Sequence, residues 1–538
     1  MPERGTVREA TFEVLRRRGL TTLFSNPGST EVPFLLDLPD DLRFVLALHE
    51  GSVVGMATGW ALGRGEPAMV VLHTLAGVGN AVGALATARL NRAPLVVVVG
   101  QQDRRHLAFE PFTSGRLAGL AGDYPVWVDQ PARPQDVPGA VGRAYHEALT
   151  GRGPALVIVP MDDWSAPAGD ETEAAPARVV RAAAADAAAV AELAKLLGGA
   201  AKPALVAGAL ADDAPTWAAL AELAERLGAP VYQESFGARA GFPQDHRLFA
   251  GHLPADRVRL RAALEPHDVV LVVGGPAFRQ YPYAEGPLLP DGVRVAVVTD
   301  DPAEAHRSAA ELAVLAPPGA VCAELVRLIP EGERTAAAPT HPPRPAAPAP
   351  PAAGQPLRPG HVLAALAERL PADAVVVEET PSSRPELHAR VPARAPLGFV
   401  SAAMGGLGFA LPAAAGLKMA LPGRAVVAVV GDGSSLYSIQ ALWSAVHYRA
   451  GAVYVILVNG AYTVMDLLAA QADGRAPWPA FPDVDVAAVA EGLGCPARRI
   501  ASHDDLLQAF DEVLPHAAER EEPLLLAVTV APDAVFEP

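Results

Sequence analysis

The sequence predicts an α/β protein built from three doubly wound, parallel-sheet domains. The chain has 538 residues, which is too long for one hydrophobic core and enough for three or four domains of ~150 residues. Short β-branched runs bounded by Gly or Pro recur along it, and Ala- and Leu-rich stretches at helical spacing separate them. Continuous apolar strands that alternate with helices are typical of parallel sheets buried on both faces.

Two shifts in composition divide the chain into domains. Residues 338–359 hold nine prolines in 22 positions, which favours extended conformations and predicts a linker. A weaker shift lies at 165–178, where small, acidic and Pro residues follow an apolar run. We therefore predict domains over 1–165, 180–335 and 360–538.

The predicted strands follow this division. In the first domain they are 44–48, 68–72, 95–99 and 155–159. In the middle domain they are 204–208, 268–274 and 293–298. In the last domain they are 374–378, 425–430, 453–458 and 524–530.

Charge and composition exclude several functional classes. The net charge of −17 repels phosphate backbones and anionic membrane surfaces, so we expect no nucleic-acid or membrane partner. The longest apolar runs stop far short of the ~20 residues that a membrane span needs. The amino terminus shows no apolar signal-peptide region, and two cysteines cannot build a disulfide framework. We therefore expect a cytoplasmic protein.

Ligands of such sheets bind outside the carboxyl ends of the strands, and in the first domain three chemically useful residues occupy these positions. Ser29 follows the apolar run ending at Phe24, Glu50 follows strand 44–48, and His73 follows strand 68–72. Taken singly, they are explained as a helix cap, a first-turn acid and a strand-end histidine. Their joint placement at one edge favours a functional site.

A glycine pattern in the same domain raises a rival hypothesis, a dinucleotide-binding oxidoreductase. Gly77 and Gly79 begin such a loop, but Gly83 falls one position late, and the acidic residue expected ~20 positions further on is missing. This hypothesis is therefore weak.

The last domain carries the strongest motif. Strand 425–430 runs into Gly431, Asp432 and Gly433, and strand 453–458 ends at Asn459. Because parallel strands one right-handed crossover apart end at the same edge, the oxygens of Asp432 and Asn459 can hold a hard cation that also binds phosphate. The glycines let backbone N–H groups approach a diphosphate, beside a helix predicted after Ser435. The alternative is a pair of polar turns.

These motifs resemble those of thiamine diphosphate-dependent enzymes, and most closely the benzoylformate decarboxylase group. The resemblance covers nearly the whole chain through the segments SNPGSTE, LALHEGSVVG, VLHTLAGVGNAVGAL, GQQDRR, VPMDDW, GGPAFR, MGGLGFALPAA and GDGSSLYSIQALW. One departure is Val458, where the family usually has the first of two consecutive asparagines. The resemblance implies thiamine diphosphate and Mg²⁺ as cofactors.

The resemblance also implies roles for individual residues. Glu50 corresponds to the acid bonded to the cofactor's pyrimidine, and Leu407 to the apolar residue that supports its bent shape. Ser29 is then near the substrate carboxylate, and His73 orients the 2-oxo group and transfers protons. Further cofactor contacts are implied for Gly431, Gly433, Ser434 and Ser382, and Mg²⁺ ligation for Asp432, Asn459 and the carbonyl of Ala461.

The implied substrate pocket departs from that of the benzoylformate decarboxylases. Tyr281 stands where they have a second histidine, Ser401 and Leu468 where they have aromatic residues, and Met404 where they have a small one. Met404 and Met465 are flexible enough to fill the vacated space. We therefore expect a preference for benzoylformate that is weakened or shifted toward aliphatic or differently shaped substrates.

Three functional hypotheses follow. The first is non-oxidative decarboxylation of a 2-oxo acid to an aldehyde and CO₂. The second is a carboligase or acyloin lyase of the acetolactate synthase type on the same scaffold, and the third is a cofactor-binding protein without turnover. The resemblance implies a homodimer or homotetramer with active sites at subunit interfaces, and no flavin is predicted because the middle domain lacks a phosphate loop.

Overall fold

A computed structural model describes residues 5–169, 179, 184–330, 344–352 and 354–532. They form three six-stranded sheets whose paired strands are all parallel. The predicted fold class is therefore confirmed. In this part of the chain, no helix combines the length and the apolar character that crossing a membrane requires.

The first sheet has the strand order β2-β1-β3-β4-β6-β5. Its strands are β1 Thr22–Asn26, β2 Arg43–Leu46, β3 Ala68–Leu72, β4 Leu95–Gln101, β5 Trp127–Asp129 and β6 Pro154–Pro160. Its helices are α1 Val7–Arg18, α2 Val32–Leu35, α3 Glu50–Arg64, α4 Thr74–Leu90 and α5 Val137–Gly151, with 3₁₀ turns at Arg104–Phe109, Pro134–Asp136 and Met161–Ser165.

The middle sheet has the order β12-β11-β10-β7-β8-β9. Its strands are β7 Pro203–Ala207, β8 Val231–Gln233, β9 Phe249–His252, β10 Val269–Val273, β11 Arg294–Thr299 and β12 Leu312–Leu315. Its helices are α6 Ala187–Gly199, α7 Ala214–Leu227, α8 Arg257–Leu264, α9 Pro302–Arg307 and α10 Pro318–Leu328, with a 3₁₀ turn at Ala209–Ala211. Read from its other edge, this is the strand order of dinucleotide-binding folds.

The third sheet has the order β14-β13-β15-β16-β18-β17. Its strands are β13 Val375–Glu379, β14 Phe399–Ser401, β15 Val426–Gly431, β16 Val453–Val458, β17 Ala497–Ile500 and β18 Leu524–Thr529. Its helices are α11 Pro359–Arg369, α12 Arg384–Arg390, α13 Ala410–Ala420, α14 Asp432–Ser435, α15 Ala441–His447, α16 Thr463–Gln471, α17 Val486–Gly492 and α18 His503–Val513, with 3₁₀ turns at Ala403–Gly405 and Leu514–His516. Its strand order repeats that of the first sheet.

The prediction of a single helix after Ser435 is wrong. Instead of one helix, the chain forms the four-residue α14, a turn, and then α15 from Ala441. The hydroxyl of Ser435 donates to the carbonyl of Asp432 at 2.6 Å, and such local bonds compete with regular helix formation.

The first and third domains share one hydrophobic core, and α3 and α13 are its centre. Their glycines allow the close approach, since a Cβ at Gly59 would collide with the carbonyl of Ala413, and one at Gly416 with that of Met56. This crossing fixes the first domain against the third.

Part of the predicted linker, residues 338–343 and 353, lies outside the described residues. From 344 to 352 the linker has no helix or strand, as its proline content predicts. It is nevertheless attached to both neighbouring domains. Arg344 donates to the carbonyl of Gln244, and Arg390 donates to the carbonyls of Pro345 and Ala346.

Candidate active site

Glu50 is the first residue of α3 and lies at the carboxyl edge of the first sheet. Its carboxylate is buried, with 8% of the residue exposed. One oxygen accepts a hydrogen bond from Nδ2 of Asn26 at 3.3 Å and the other from Nδ2 of Asn80 at 3.0 Å. His49 caps the same helix by accepting from the N–H of Gly51 at 3.0 Å. The carboxylate is thus held in one orientation.

His73 directly follows the last residue of β3, and its imidazole contacts the carboxylate of Glu31. Its Nδ1 lies 2.9 Å from Oε2 of Glu31 and 3.0 Å from the hydroxyl of Thr30. The N–H of Gly28 donates to the same carboxylate at 2.8 Å. A Cβ at Gly28 would strike the imidazole ring, so only glycine leaves room for it. Thr74, the next residue, has φ +41°, a strained value for a β-branched residue.

Ser29 is exposed in the turn between β1 and α2. It does not cap α2, because that helix begins at Val32 with Glu31 in the cap position and no side-chain cap bond. The structural explanation that the sequence offered for Ser29 is therefore wrong. Its hydroxyl stands at the same edge as Glu50 and His73.

In the third domain, the ends of β15 and β16 meet through Asp432. Its buried carboxylate accepts from the N–H of Gly433 at 2.8 Å, of Asn459 at 3.0 Å and of Gly460 at 2.7 Å. Burial raises the pKa of Asp432, and these backbone bonds oppose the rise. Oδ1 of Asn459 accepts from the N–H of Ala461 at 3.0 Å. The two side chains predicted to bind the metal therefore lie on neighbouring turns at the ends of β15 and β16.

This cluster suits a hard cation. Asp432, Asn459 and the Ala461 carbonyl offer a carboxylate, an amide and a backbone oxygen, the ligand types that Mg²⁺ prefers. Oδ1 of Asp432 and Oδ1 of Asn459 each accept one backbone N–H and keep a further lone pair, whereas Oδ2 of Asp432 accepts two. The described residues contain no cluster of three His, Cys, Asp or Glu side chains suited to a metal.

Leu407 lies on a glycine loop that a buried carboxylate anchors. Glu379, the last residue of β13, accepts from the N–H groups of Gly408, Phe409 and Ala410 at 2.7, 2.8 and 2.7 Å. Burial raises the pKa of Glu379 to about 7, against the opposing effect of these three bonds. Glu379 thus holds the loop at the start of α13.

A cavity of about 660 Å³ opens beside this loop, between the middle and third domains. Tyr281, Met404, Leu407 and Glu379 line it. Sδ of Met404 lies 3.5 Å from Nη1 of Arg279. Of the residues predicted for the substrate pocket, Tyr281 of the middle domain and Met404 of the third domain thus meet at one surface.

Four other predicted pocket and cofactor residues lie elsewhere. Ser401 does not line the cavity, because its hydroxyl donates to Glu378 at 2.9 Å in the buried interior. The Ser382 hydroxyl accepts from the N–H of Val464 at 3.2 Å and joins the loop after β13 to α16. Met465 and Leu468 stand on α16, where Met465 is exposed and Leu468 half-buried.

No hydrogen bond described for the side chains of Glu50, His73 and Asp432 joins the two halves of the site within one chain. The hydrogen bonds described for Glu50 and His73 all end on residues of the first domain. Those of Asp432 end within the third domain. Large apolar side chains are exposed around both, for example Phe112 beside the first half and Tyr437 beside the second.

Sequence reasoning missed three residues of this arrangement. Glu379 directly follows strand 374–378, so inspecting the residue after every strand would have found it. Glu31 stands in the segment SNPGSTE but looks like an ordinary first-turn acid. Asn80 lies inside a helix of small residues, and no sequence signal marks it.

Family models match all three parts of the chain. They describe the N-terminal TPP binding domain, the central domain and the C-terminal TPP binding domain of thiamine pyrophosphate enzymes, and they match residues 5–118, 190–325 and 385–528. Thiamine pyrophosphate is another name for thiamine diphosphate. The chain therefore belongs to the thiamine pyrophosphate enzyme family.

Individual relatives narrow the comparison. Benzoylformate decarboxylase of Pseudomonas aeruginosa is 41% identical over 537 residues, 99% of this chain and 100% of that protein. The solved thiamine diphosphate-dependent 4-hydroxybenzoylformate decarboxylase of Rhodococcus jostii RHA1 has a TM-score of 0.93 and 38% identity, over 99% of this chain and 100% of that one. The acetolactate synthase large subunit of Corynebacterium glutamicum is 29% identical over 285 residues, 51% of this chain and 44% of that protein.

Proposed function

We propose that the protein is a thiamine diphosphate-dependent decarboxylase that converts a 2-oxo acid into an aldehyde and CO₂. One observation carries the proposal: the buried carboxylate of Glu50, fixed by two amide donors at the carboxyl edge of the first sheet. The full-length likeness to benzoylformate decarboxylases supports it. When bound, the cofactor would supply a nucleophilic carbon at C2 of its thiazolium ring.

Glu50 and Leu407 would prepare the cofactor. Glu50 would hold a proton at pyrimidine N1′, since a buried carboxylate held in a fixed orientation is suited to a short proton transfer. Leu407 would pack beneath the cofactor and keep it bent. Its loop is held by Glu379, so its position is set by three backbone hydrogen bonds.

His73 and Ser29 would handle the substrate. Because Nδ1 of His73 faces the carboxylate of Glu31, Nε2 is the nitrogen that would donate the proton replacing CO₂ on the product. The exposed Ser29 hydroxyl would donate to the substrate carboxylate. Tyr281 would meet the same substrate from the middle domain through its phenol hydroxyl.

Mg²⁺ would bind to Asp432, Asn459 and the carbonyl of Ala461, and would neutralise charge on the cofactor's diphosphate. Gly431, Gly433 and Ser434 would contact that diphosphate beside the metal. Both roles rest on the hard oxygen ligands gathered at the ends of β15 and β16.

A cofactor that contacts both halves of the site would need a second copy of the chain. That second copy would cover the exposed apolar residues around each half. These are Leu75, Phe109 and Phe112 in the first domain and Tyr437 and Tyr462 in the third. We infer a homodimer or homotetramer with active sites at the subunit interfaces, as the family resemblance implies. Sedimentation of the holoenzyme measures this directly.

We place the enzyme in the cytoplasm. Cys322 and Cys495 are both free and buried, which fits a reducing compartment. Fractionation of the source cells followed by immunodetection would test this placement.

CO₂ release from a panel of 2-oxo acids tests the function, with and without an added aldehyde. We expect CO₂ and the matching aldehyde in equal amounts. Appearance of a carbon–carbon ligation product as the main product would favour the carboligase alternative. The panel also compares benzoylformate with aliphatic acids, and a benzoylformate preference above ~10²-fold in kcat/KM, or ~2.7 kcal/mol, would refute a shifted preference.

A further inference from the structure

The cavity between the middle and third domains lies where parallel sheets bind ligands. The loops after β8 and β10 supply Phe236 and Tyr281, and the ends of β13 and β14 supply Glu379 and Ala402. Two sheets thus present their carboxyl edges to one space. Its volume of about 660 Å³ is typical of pockets that hold drug-sized ligands.

The wall of this cavity has no spare charge for an anion. Each arginine on the wall has a carboxylate partner: Arg259 with Asp256 at 4.0 Å, Arg279 with Glu234 at 2.8 Å and Arg384 with Glu378 at 2.9 Å. Both oxygens of Glu379 face the backbone of the Leu407 loop. Nε of Arg384 and Nε2 of Gln280, His252 and His388 have no hydrogen-bond partner among the described residues. These atoms belong to neutral groups or to an arginine already paired with a carboxylate, so the wall offers hydrogen bonds but little free charge.

Aromatic and apolar surfaces make up much of the remaining wall. His252 of the middle domain stacks on His388 of the third, with ring centroids 3.8 Å apart and planes 7° from parallel. Burial lowers the pKa of His388 to about 3 and that of His252 well below its usual value, so the pair is uncharged at neutral pH. Leu253, Pro254 and Phe236 extend this uncharged surface.

We propose that this cavity receives the side chain of the 2-oxo acid and selects substrates with long, uncharged side chains. The inference rests on the proposed function, because it places the reacting carbonyl beside Leu407 and Met404, which form one wall of the cavity. The substrate then extends from the cofactor toward the histidine pair. A phenyl ring alone would leave most of the space unfilled.

The first test measures kcat/KM of the holoenzyme for unbranched acids from 2-oxobutanoate to 2-oxodecanoate, with benzoylformate as reference. Burying each added methylene should raise kcat/KM by about two- to fourfold until the cavity is filled. A flat or falling profile, with benzoylformate and short acids still turned over, would overturn the cavity's role alone. Absence of turnover with every acid would overturn the proposed function and this inference with it.

The second test narrows the cavity from opposite walls. Ala389→Trp places a bulky side chain on the wall formed by α12 of the third domain. Ala250→Trp does the same on the wall formed by β9 of the middle domain. Each should lower the ratio of kcat/KM for 2-oxooctanoate over 2-oxobutanoate by at least ~10-fold. The control is Ala191→Trp, at an exposed position of α6 outside the cavity, which should keep the wild-type ratio. Unchanged ratios in both cavity variants would contradict the proposal.

Discussion

In the first domain, Oε2 of Glu31 lies 2.9 Å from Nδ1 of His73, and Glu31 is itself buried. The imidazole therefore has one nitrogen committed to a carboxylate and the other left for chemistry. Glu31 acts through His73, so it is a positioning residue, and Gly28 completes the arrangement by leaving room for the ring.

Glu31→Gln should lower kcat by at least ~10-fold, because a neutral amide holds the imidazole less firmly than a carboxylate does. KM for the 2-oxo acid should change much less. Steady-state kinetics of the holoenzyme give both constants. The control is Glu66→Gln, an exposed acid of the same domain. Equal losses in the two variants would contradict a specific role for Glu31.

Glu50→Gln should retain thiamine diphosphate and lose at least ~10²-fold in turnover, the scale expected of a positioned acid–base group. The new amide oxygen can still accept from one asparagine, and the other asparagine can turn its amide so that its oxygen accepts from the new NH₂ group, so folding should be preserved. Cofactor titration and single-turnover CO₂ release measure the two properties separately. Near-wild-type turnover in a normally assembled variant would refute the assignment.

Asp432→Ala should weaken Mg²⁺ and thiamine diphosphate binding together, each by at least ~10-fold. The substitution removes a carboxylate that also joins the ends of β15 and β16, so thermal unfolding is measured in parallel. Asp504→Ala, at an exposed acid of the same domain, should leave both affinities unchanged. Wild-type Mg²⁺ affinity in Asp432→Ala would remove Asp432 from the metal site.

Glu379 should make stability depend on pH. Its pKa of about 7 lies above the ordinary value of 4.5, so the folded protein binds this proton more tightly than the unfolded chain does. The group's contribution to stability therefore falls as pH rises from 4.5 to 7 and is constant above 7. Between pH 5 and 8 the loss is on the order of 2 to 3 kcal/mol.

The Glu379→Gln variant has no carboxyl group to titrate at this position. Its stability should therefore not show the fall between pH 5 and 8 that Glu379 causes. Urea unfolding of both proteins at pH 5 and pH 8 gives the comparison, with the wild type losing stability relative to the variant at the higher pH. A difference between the two proteins that does not change with pH would show that Glu379 titrates normally.

The sequence predicts the central strands well because their apolar runs are buried on both faces. It misses β5, β8, β9, β12, β14 and β17, each three or four residues long. All of these except β8 lie at sheet edges. An edge strand packs on fewer neighbours, so its sequence needs fewer apolar residues, as Ala-Arg-Arg-Ile in β17 illustrates.

Within the candidate site, the sequence predicts which residues lie at the edge of a sheet. It does not predict which side chains form hydrogen bonds with one another. Asp432 and Asn459 follow consecutive central strands, and a general rule of sheet topology brings them together. The bond between Glu31 and His73 depends on the path of the turn at Gly28, which no periodicity encodes. Ser401 shows the same limit, since whether its side chain meets the cavity or Glu378 depends on a one-residue alternation in a short edge strand.

The crossing of α3 and α13 also has a consequence for folding during synthesis. α3 is apolar on nearly all sides and is buried against a helix that the ribosome makes only after the whole middle domain. Until then the first domain cannot close its core, although domains tend to fold in the order of their synthesis. A nascent chain that ends before Ala410 would expose α3 to solvent, where chaperones and proteases act on such surfaces.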